Sequence, residues 1–180
     1  MNRRHLLRTT ALALVAAPIA ACSVFQSTTT NGVTTITVNV AKLDAYGQAF
    51  INGGTMLLDL PGISTLPAAA AVATVLAVLK TDIAAFDTAT QGQATLTFDA
   101  TSVPAAVQSV LADGKTLLTD ARSVLGTAEQ AAASTAQTYI DAIQTVVSIF
   151  SATIGQITAG ARAGAVPMTE TQALAVLRVK

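Results

Sequence analysis

Thr35-Ile36-Thr37-Val38-Asn39-Val40 returns sixty positions later as Thr95-Leu96-Thr97-Phe98-Asp99-Ala100. The match continues without a gap: Ala45 meets Ala105, Gln48 meets Gln108, Gly54 meets Gly114, and Leu57-Leu58 meet Leu117-Leu118, seven identities in the 24 pairs from 35 to 58. A repeat of this length describes a supersecondary unit that cannot bury its apolar face alone and packs against its copy. The fold is therefore limited to arrangements in which two like halves share one core.

Each half opens with strict alternation. Ile36, Val38 and Val40 point one way and Thr35, Thr37 and Asn39 the other, as Leu96, Phe98 and Ala100 do against Thr95, Thr97 and Asp99. A period of two describes a half-buried strand. A helix follows each strand. In the first, Leu43, Phe50, Ile51, Gly54, Leu57 and Leu58 share one broad face, Asn39 is the N-cap, and Pro61-Gly62 ends the run. In the second, Ser102 is the N-cap and Pro104 sits in the first turn. Val103, Val107, Val110, Leu111, Gly114 and Leu118 make the equivalent face, which ends near Gly126.

Second helices carry the clearest periodicity. Val72, Val75, Leu76, Leu79, Ile83 and Phe86 are spaced by threes and fours between Pro67 and Gly92, and Ala136, Ile140, Ile143, Val147, Phe150, Ile154 and Ile157 repeat the pattern over roughly residues 128 to 160. These stripes predict bundle core. Gly54 and Gly114, matched inside helices where Gly costs roughly 1 kcal/mol relative to Ala, predict a close approach of the two first helices near a pseudo-twofold axis.

The predicted fold is mainly α with a small β element: a duplicated β-α-α unit forming a four-helix bundle, its two strands paired antiparallel. Two strands alone are marginal in water, so the helices are expected to cover one face of them. A third strand is available if Asn31-Gly32 closes a hairpin that sets Phe25 opposite Val38 and Ser27 opposite Ile36. The competing reading makes residues 23–32 a solvated Ser/Thr-rich tether. The domain then spans residues 33–160, in repeats 33–92 and 93–160. Residues 161–180 form a linker and a short helix carrying Leu174, Val176 and Leu177, opened by a capping box of Thr169 and Gln172. That helix either packs back on the bundle or serves as a docking peptide.

The first 21 residues read as an address. Met1 to Arg8 is cationic, only 13 residues separate Arg8 from Cys22, and about 18 to 20 apolar residues are needed to span hydrocarbon. This is a cleaved signal peptide rather than a membrane anchor. Ile19-Ala20-Ala21-Cys22 resembles the lipobox of bacterial lipoproteins, and Cys22 is the only cysteine in the chain. The resemblance implies a diacylglyceryl thioether on Cys22, cleavage before it, and acylation of the freed amine. Residues 22–32 are then the lipidated N-terminus with its tether or hairpin arm. Asn2-Arg3-Arg4-His5-Leu6-Leu7-Arg8 is similar to the twin-arginine export signal, departing from it at Asn2 and in having Leu where Phe is usual; the general secretion route is the alternative. Ser23 follows the cysteine where, in the Gram-negative lipoproteins the leader resembles, Asp favours inner-membrane retention, so the resemblance implies an outer-membrane protein facing the periplasm.

Chemistry is restricted. The mature chain holds no His, its one Cys would be lipidated, and seven basic and ten acidic residues leave a net charge of −3. Ser-His-Asp and Cys-His catalysis, and any His- or Cys-ligated metal, lack their residues. Asp82 and Asp87 are five apart, about 140° round a helix, and do not converge. Asp113 and Asp120 share a face that a solvated helix surface explains. Asn52-Gly53-Gly54-Thr55 lacks the Walker lysine and a preceding strand. No basic stripe exists to bind nucleic acid, since charged residues make 11% of the chain and cancel. The expectation is a non-enzyme with no cofactor and no metal: a lipid-anchored envelope protein whose helical domain scaffolds or binds an envelope partner. Two alternatives stand beside it. One is a carrier of an apolar ligand, with a cavity between the Ala- and Gly-rich helices. The other is a membrane-active protein using Leu66 to Leu79 or residues 139–161, against which Asp141 counts.

Overall fold

The computed structural model describes residues 25–30, 33–90, 92–99, 104–128, 130–158 and 168–179. Cys22, the leader and Ser102 lie outside them. The elements run β1 (Phe25–Thr30), β2 (Val33–Asn39), α1 (Val40–Leu58), α2 (Ala69–Thr90), β3 (Thr95–Asp99), α3 (Ala105–Leu125), α4 (Gln130–Thr158) and α5 (Glu170–Val176). Order of type, strand then two helices, occurs twice.

β1 pairs antiparallel with β2, setting Phe25 opposite Val38, Ser27 opposite Ile36 and Thr30 opposite Val33. Two residues separate the paired ends, so the register is that of a two-residue hairpin; Asn31 and Gly32 themselves lie outside the described residues. From Phe25 onward the arm is a strand, and the tether reading does not hold for it. β2 also pairs antiparallel with β3, giving a three-stranded sheet in the order β1-β2-β3. Thr35 faces Asp99, Thr37 faces Thr97 and Asn39 faces Thr95. Each pair is thus carried onto another by the sixty-residue repeat, Thr35–Asp99 onto Thr95–Asn39, and Thr37–Thr97 onto itself, so the pseudo-twofold axis passes between Thr37 and Thr97.

β2 runs straight into α1. Asn39 Oδ1 accepts from the Lys42 N–H at 3.0 Å, satisfying one of the helix's orphan donors, and the Val40 N–H donates to the Ala94 carbonyl at 3.2 Å, tying the start of α1 to the approach of β3. Val38 is fully buried, Leu96 and Phe98 are half-buried against the helical core, and Thr95 and Thr97 are exposed. The alternation is as expected, but the helices cover the sheet only in part.

Around the bundle α1 packs on α2 and α4, α3 packs on the same two, and α1 touches α3 across the middle. The second helices match at an offset that has grown to 64: Val72, Leu76, Leu79, Ile83 and Phe86 correspond to Ala136, Ile140, Ile143, Val147 and Phe150, and all ten are buried. Four residues are gained in the connection. The first unit links its helices by a staircase in which the Leu60, Ile63, Leu66 and Ala69 N–H groups each reach back three residues, burying Ile63. The second extends α3 to Leu125 and turns at Gly126. Fully burying each Leu, Ile or Phe contributes about 1.5 to 3 kcal/mol, so these matched stripes dominate stability.

Threonine is tolerated inside these helices because its hydroxyl bonds back to the preceding turn. Thr55, Thr74, Thr81, Thr88, Thr116, Thr119 and Thr138 each donate to the carbonyl four residues earlier, and the fully buried Thr145 does so to Asp141 at 2.9 Å.

The glycine expectation is half met. A Cβ on Gly114 would lie 2.6 Å from the Phe50 ring, so α3 and α1 do close on each other there. Gly54 instead faces Leu76 of α2, where a Cβ would lie 2.6 Å from a methyl. The two glycines have different neighbours because the repeat is inexact: Phe50 of α1 covers Gly114, while its repeat-mate Val110 of α3 lies near Gly47 and Leu76 covers Gly54.

Candidate functional site

α5 breaks the twofold symmetry. It packs on α4 and is bonded to α1, and the first half of the chain supplies no counterpart at the α2–α3 seam among the described residues. Its ends are well defined. The capping box is formed as expected: the Thr169 hydroxyl accepts from the Gln172 N–H at 3.3 Å, and the Thr169 N–H donates to Gln172 Oε1 at 3.0 Å. At the other end the Arg178 N–H donates to the Ala175 carbonyl at 3.1 Å and the Val179 N–H to that of Leu174 at 3.0 Å, the paired bonds of a Schellman turn. Arg178 occupies its left-handed position at φ 53°, where glycine is the usual residue.

Ala173 and Leu177 are the buried face of α5. Leu177 enters beside Gly53 of α1, where a Cβ would come within 2.9 Å of both Leu177 and Ile143, so a side chain at 53 would collide with the docked helix. Polar groups of α1 hold both ends. Tyr46 donates its hydroxyl to Glu170 Oε1 at 2.9 Å, and Lys42 Nζ lies 3.7 Å from the same oxygen. At the far end Asn52 Nδ2 donates to the Leu177 carbonyl at 3.0 Å, satisfying an acceptor that the helix terminus leaves open. The Tyr46 ring is fully buried and meets Phe150 of α4 at 5.9 Å between centroids, tilted 58°, a favoured aromatic geometry.

Two open grooves flank this helix. One of about 360 Å³ is lined by Lys42, Glu170, Thr171, Leu174, Ala175 and Val179. The other, of about 280 Å³, is lined by Asn52, Thr55, Met56, Asp59 and Arg178. Neither is the apolar cavity between helices that a carrier of a greasy ligand needs; inside the bundle, the spaces over Gly47, Gly54 and Gly114 are filled by Ile83, Leu76 and Phe50.

The acids are arranged differently from the sequence expectation. Asp82 and Asp87 indeed point apart, but each meets an acid from another helix. Asp113 of α3 faces Asp82 across the α2–α3 seam, and burial first, then the Asp82 charge, raises its pKa. Burial, with the Asp44 charge as a smaller cause, raises that of Asp87 at the α1–α2 seam. Oδ1 of Asp44 and Oδ2 of Asp113 are shielded from solvent without a hydrogen-bond donor. Spacing in the sequence relates acids along one helix, and pairing across seams has no periodic signal. Among the described residues no three acids, His or Cys gather as a metal site.

α2 is, among the described residues, the one helix long and apolar enough to cross a bilayer. Its Val72, Leu76, Leu79, Ile83 and Phe86 stripe is a buried wall of the bundle. Comparison with protein-family models, curated proteins and solved structures gave no match.

Proposed function

We propose that the chain is a lipid-anchored cell-envelope protein, attached through Cys22, whose helical bundle binds or scaffolds a partner without catalysis. The observation that carries this reading is Ile19-Ala20-Ala21-Cys22: the chain's only cysteine stands at the one position a lipobox requires, behind a cationic, short apolar leader. Phe25, three residues after Cys22, is already part of β1, so a lipid on Cys22 would hold the domain close to the membrane. Two or more acyl chains anchor stably where one is marginal, each buried CH₂ contributing about 0.8 kcal/mol. The leader's likeness to lipoproteins supports the outer membrane, facing the periplasm.

The test is fractionation. Wild type should stay in the membrane pellet after a carbonate wash and Cys22→Ser should leave it; a Cys22→Ser protein that remains in the pellet overturns the reading. The filling of the spaces over Gly47, Gly54 and Gly114 counts against the carrier alternative, and the seat of the Val72, Leu76, Leu79, Ile83 and Phe86 stripe in the core counts against a membrane-active use of α2.

A further inference from the structure

The seam between α1 and α4 is equipped for a helix in a way its symmetry mate is not. Lys42, Tyr46, Asn52 and Gly53 supply, in turn, a cation, a hydroxyl, an amide and a bare backbone to α5. Their repeat-mates sixty positions on are Ser102, Ala106, Ala112 and Asp113, which offer no comparable set. At the α2–α3 seam Asp113 faces Asp82 and the two helices close directly on each other. Tyr46 and Lys42 read the acid in the first turn of α5, Asn52 reads the last carbonyl, and the space over Gly53 admits a leucine seven residues after that acid. Together they recognise a short helix by charge, length and one apolar anchor, the pattern of helix-in-groove binding. The occupant, α5, carries its own caps at both ends, so its helical form is written locally, and it connects to α4 only through residues 159–169.

We propose that the α1–α4 seam is a helix-accepting groove, that α5 is its ligand in cis, and that the same helix from a second copy of the chain can take that place. The required chemistry is an acid in the first turn, a small residue three positions on and Leu seven positions on, as in Glu170, Ala173 and Leu177. A second copy satisfies all three by identity. This deepens the partner-binding part of the proposed function and does not depend on the lipid anchor: fractionation of Cys22→Ser reports the anchor, and peptide exchange reports the groove.

The test uses the whole chain, folded first, with a site-specific protease sequence placed between residues 161 and 166 and cut afterwards. The nicked protein should keep its helical circular dichroism and retain the C-terminal fragment through gel filtration. A fluorescent peptide spanning Met168 to Lys180 should then displace that fragment saturably. A peptide carrying Glu170→Ala should bind at least about tenfold more weakly, since it loses the charged acceptor of the Tyr46 hydroxyl and the partner of Lys42. Tyr46→Phe in the nicked chain should reproduce part of that loss. A nicked chain that stays folded yet releases the fragment and takes up no peptide overturns the proposal. So does one that unfolds on cutting, because α5 is then an inseparable part of the core.

Discussion

Thr37 pairs with Thr97, its own counterpart in the repeat, and every neighbouring pair in β2 and β3 is consistent with a twofold axis between them. The axis relates α1 to α3 and α2 to α4, and the matched apolar stripes of the second helices meet the shared core from opposite sides. Two aromatic rings occupy equivalent places in it: Phe86 and Phe150 are 2% and 0% exposed.

Truncating either ring should therefore be costly. Phe86→Ala and Phe150→Ala are each expected to lose about 3 to 5 kcal/mol, the range for buried Phe to Ala. Phe150→Ala also removes the ring contact to Tyr46, so it should fall at the upper end. Denaturant melts with both variants within a few tenths of a kcal/mol of wild type would contradict the core described here.

Gly114→Leu should lower the melting temperature. Helix propensity alone would raise stability by up to about 1 kcal/mol, but a Cβ lies 2.6 Å from the Phe50 ring, and overpacking typically costs about 1 to 3 kcal/mol. The double change Phe50→Val with Gly114→Leu should recover part of the loss, because it removes the ring that the new side chain would meet. A rise in melting temperature for the single variant would show that α1 and α3 do not close there.

Much of this was legible in local pattern. Asn31-Gly32 between two Thr-rich arms offered the observed hairpin register beside a tether reading, the alternation of Leu96 and Phe98 with Thr95 and Thr97 marked a strand, and Thr169 with Gln172 announced the start of α5, because each signal depends on residues within a few positions of one another. The dock of α5 was not legible. Tyr46 and Glu170 are 124 residues apart, Asn52 and Leu177 are 125, and neither pair leaves a trace in periodicity. The meeting of Asp82 with Asp113 was missed for the same reason. So was the destination of Gly54, which is set by Leu76 of another helix rather than by its repeat-mate.

Asp113 makes stability depend on pH. Its folded pKa is raised by burial and by Asp82, so the folded state holds a proton that the unfolded chain releases more readily. Stability should accordingly increase as pH falls from neutral through the raised value, level off below the ordinary aspartate range, and decrease in the opposite direction. Asp113→Asn should be more stable than wild type at pH 7 and should flatten this slope, as seen in thermal melts across pH. A variant whose stability at pH 7 is lower, with the slope intact, would place the cause elsewhere.

Arg178→Gly should stabilise the turn that ends α5. A non-glycine residue in the left-handed region costs roughly 1 to 2 kcal/mol, part of which glycine returns through the freedom it gives the unfolded chain. An increase of a few degrees in melting temperature is expected; a decrease would mean that the Arg178 side chain contributes more across the neighbouring groove than its backbone costs.

The most direct measurement for the account as a whole is the mass of the N-terminal peptide of the protein taken from its native membranes. The expected peptide starts at Cys22 and carries a diacylglyceryl group on sulfur and an acyl group on its amine. A peptide that starts elsewhere, or an unmodified Cys22, would contradict it.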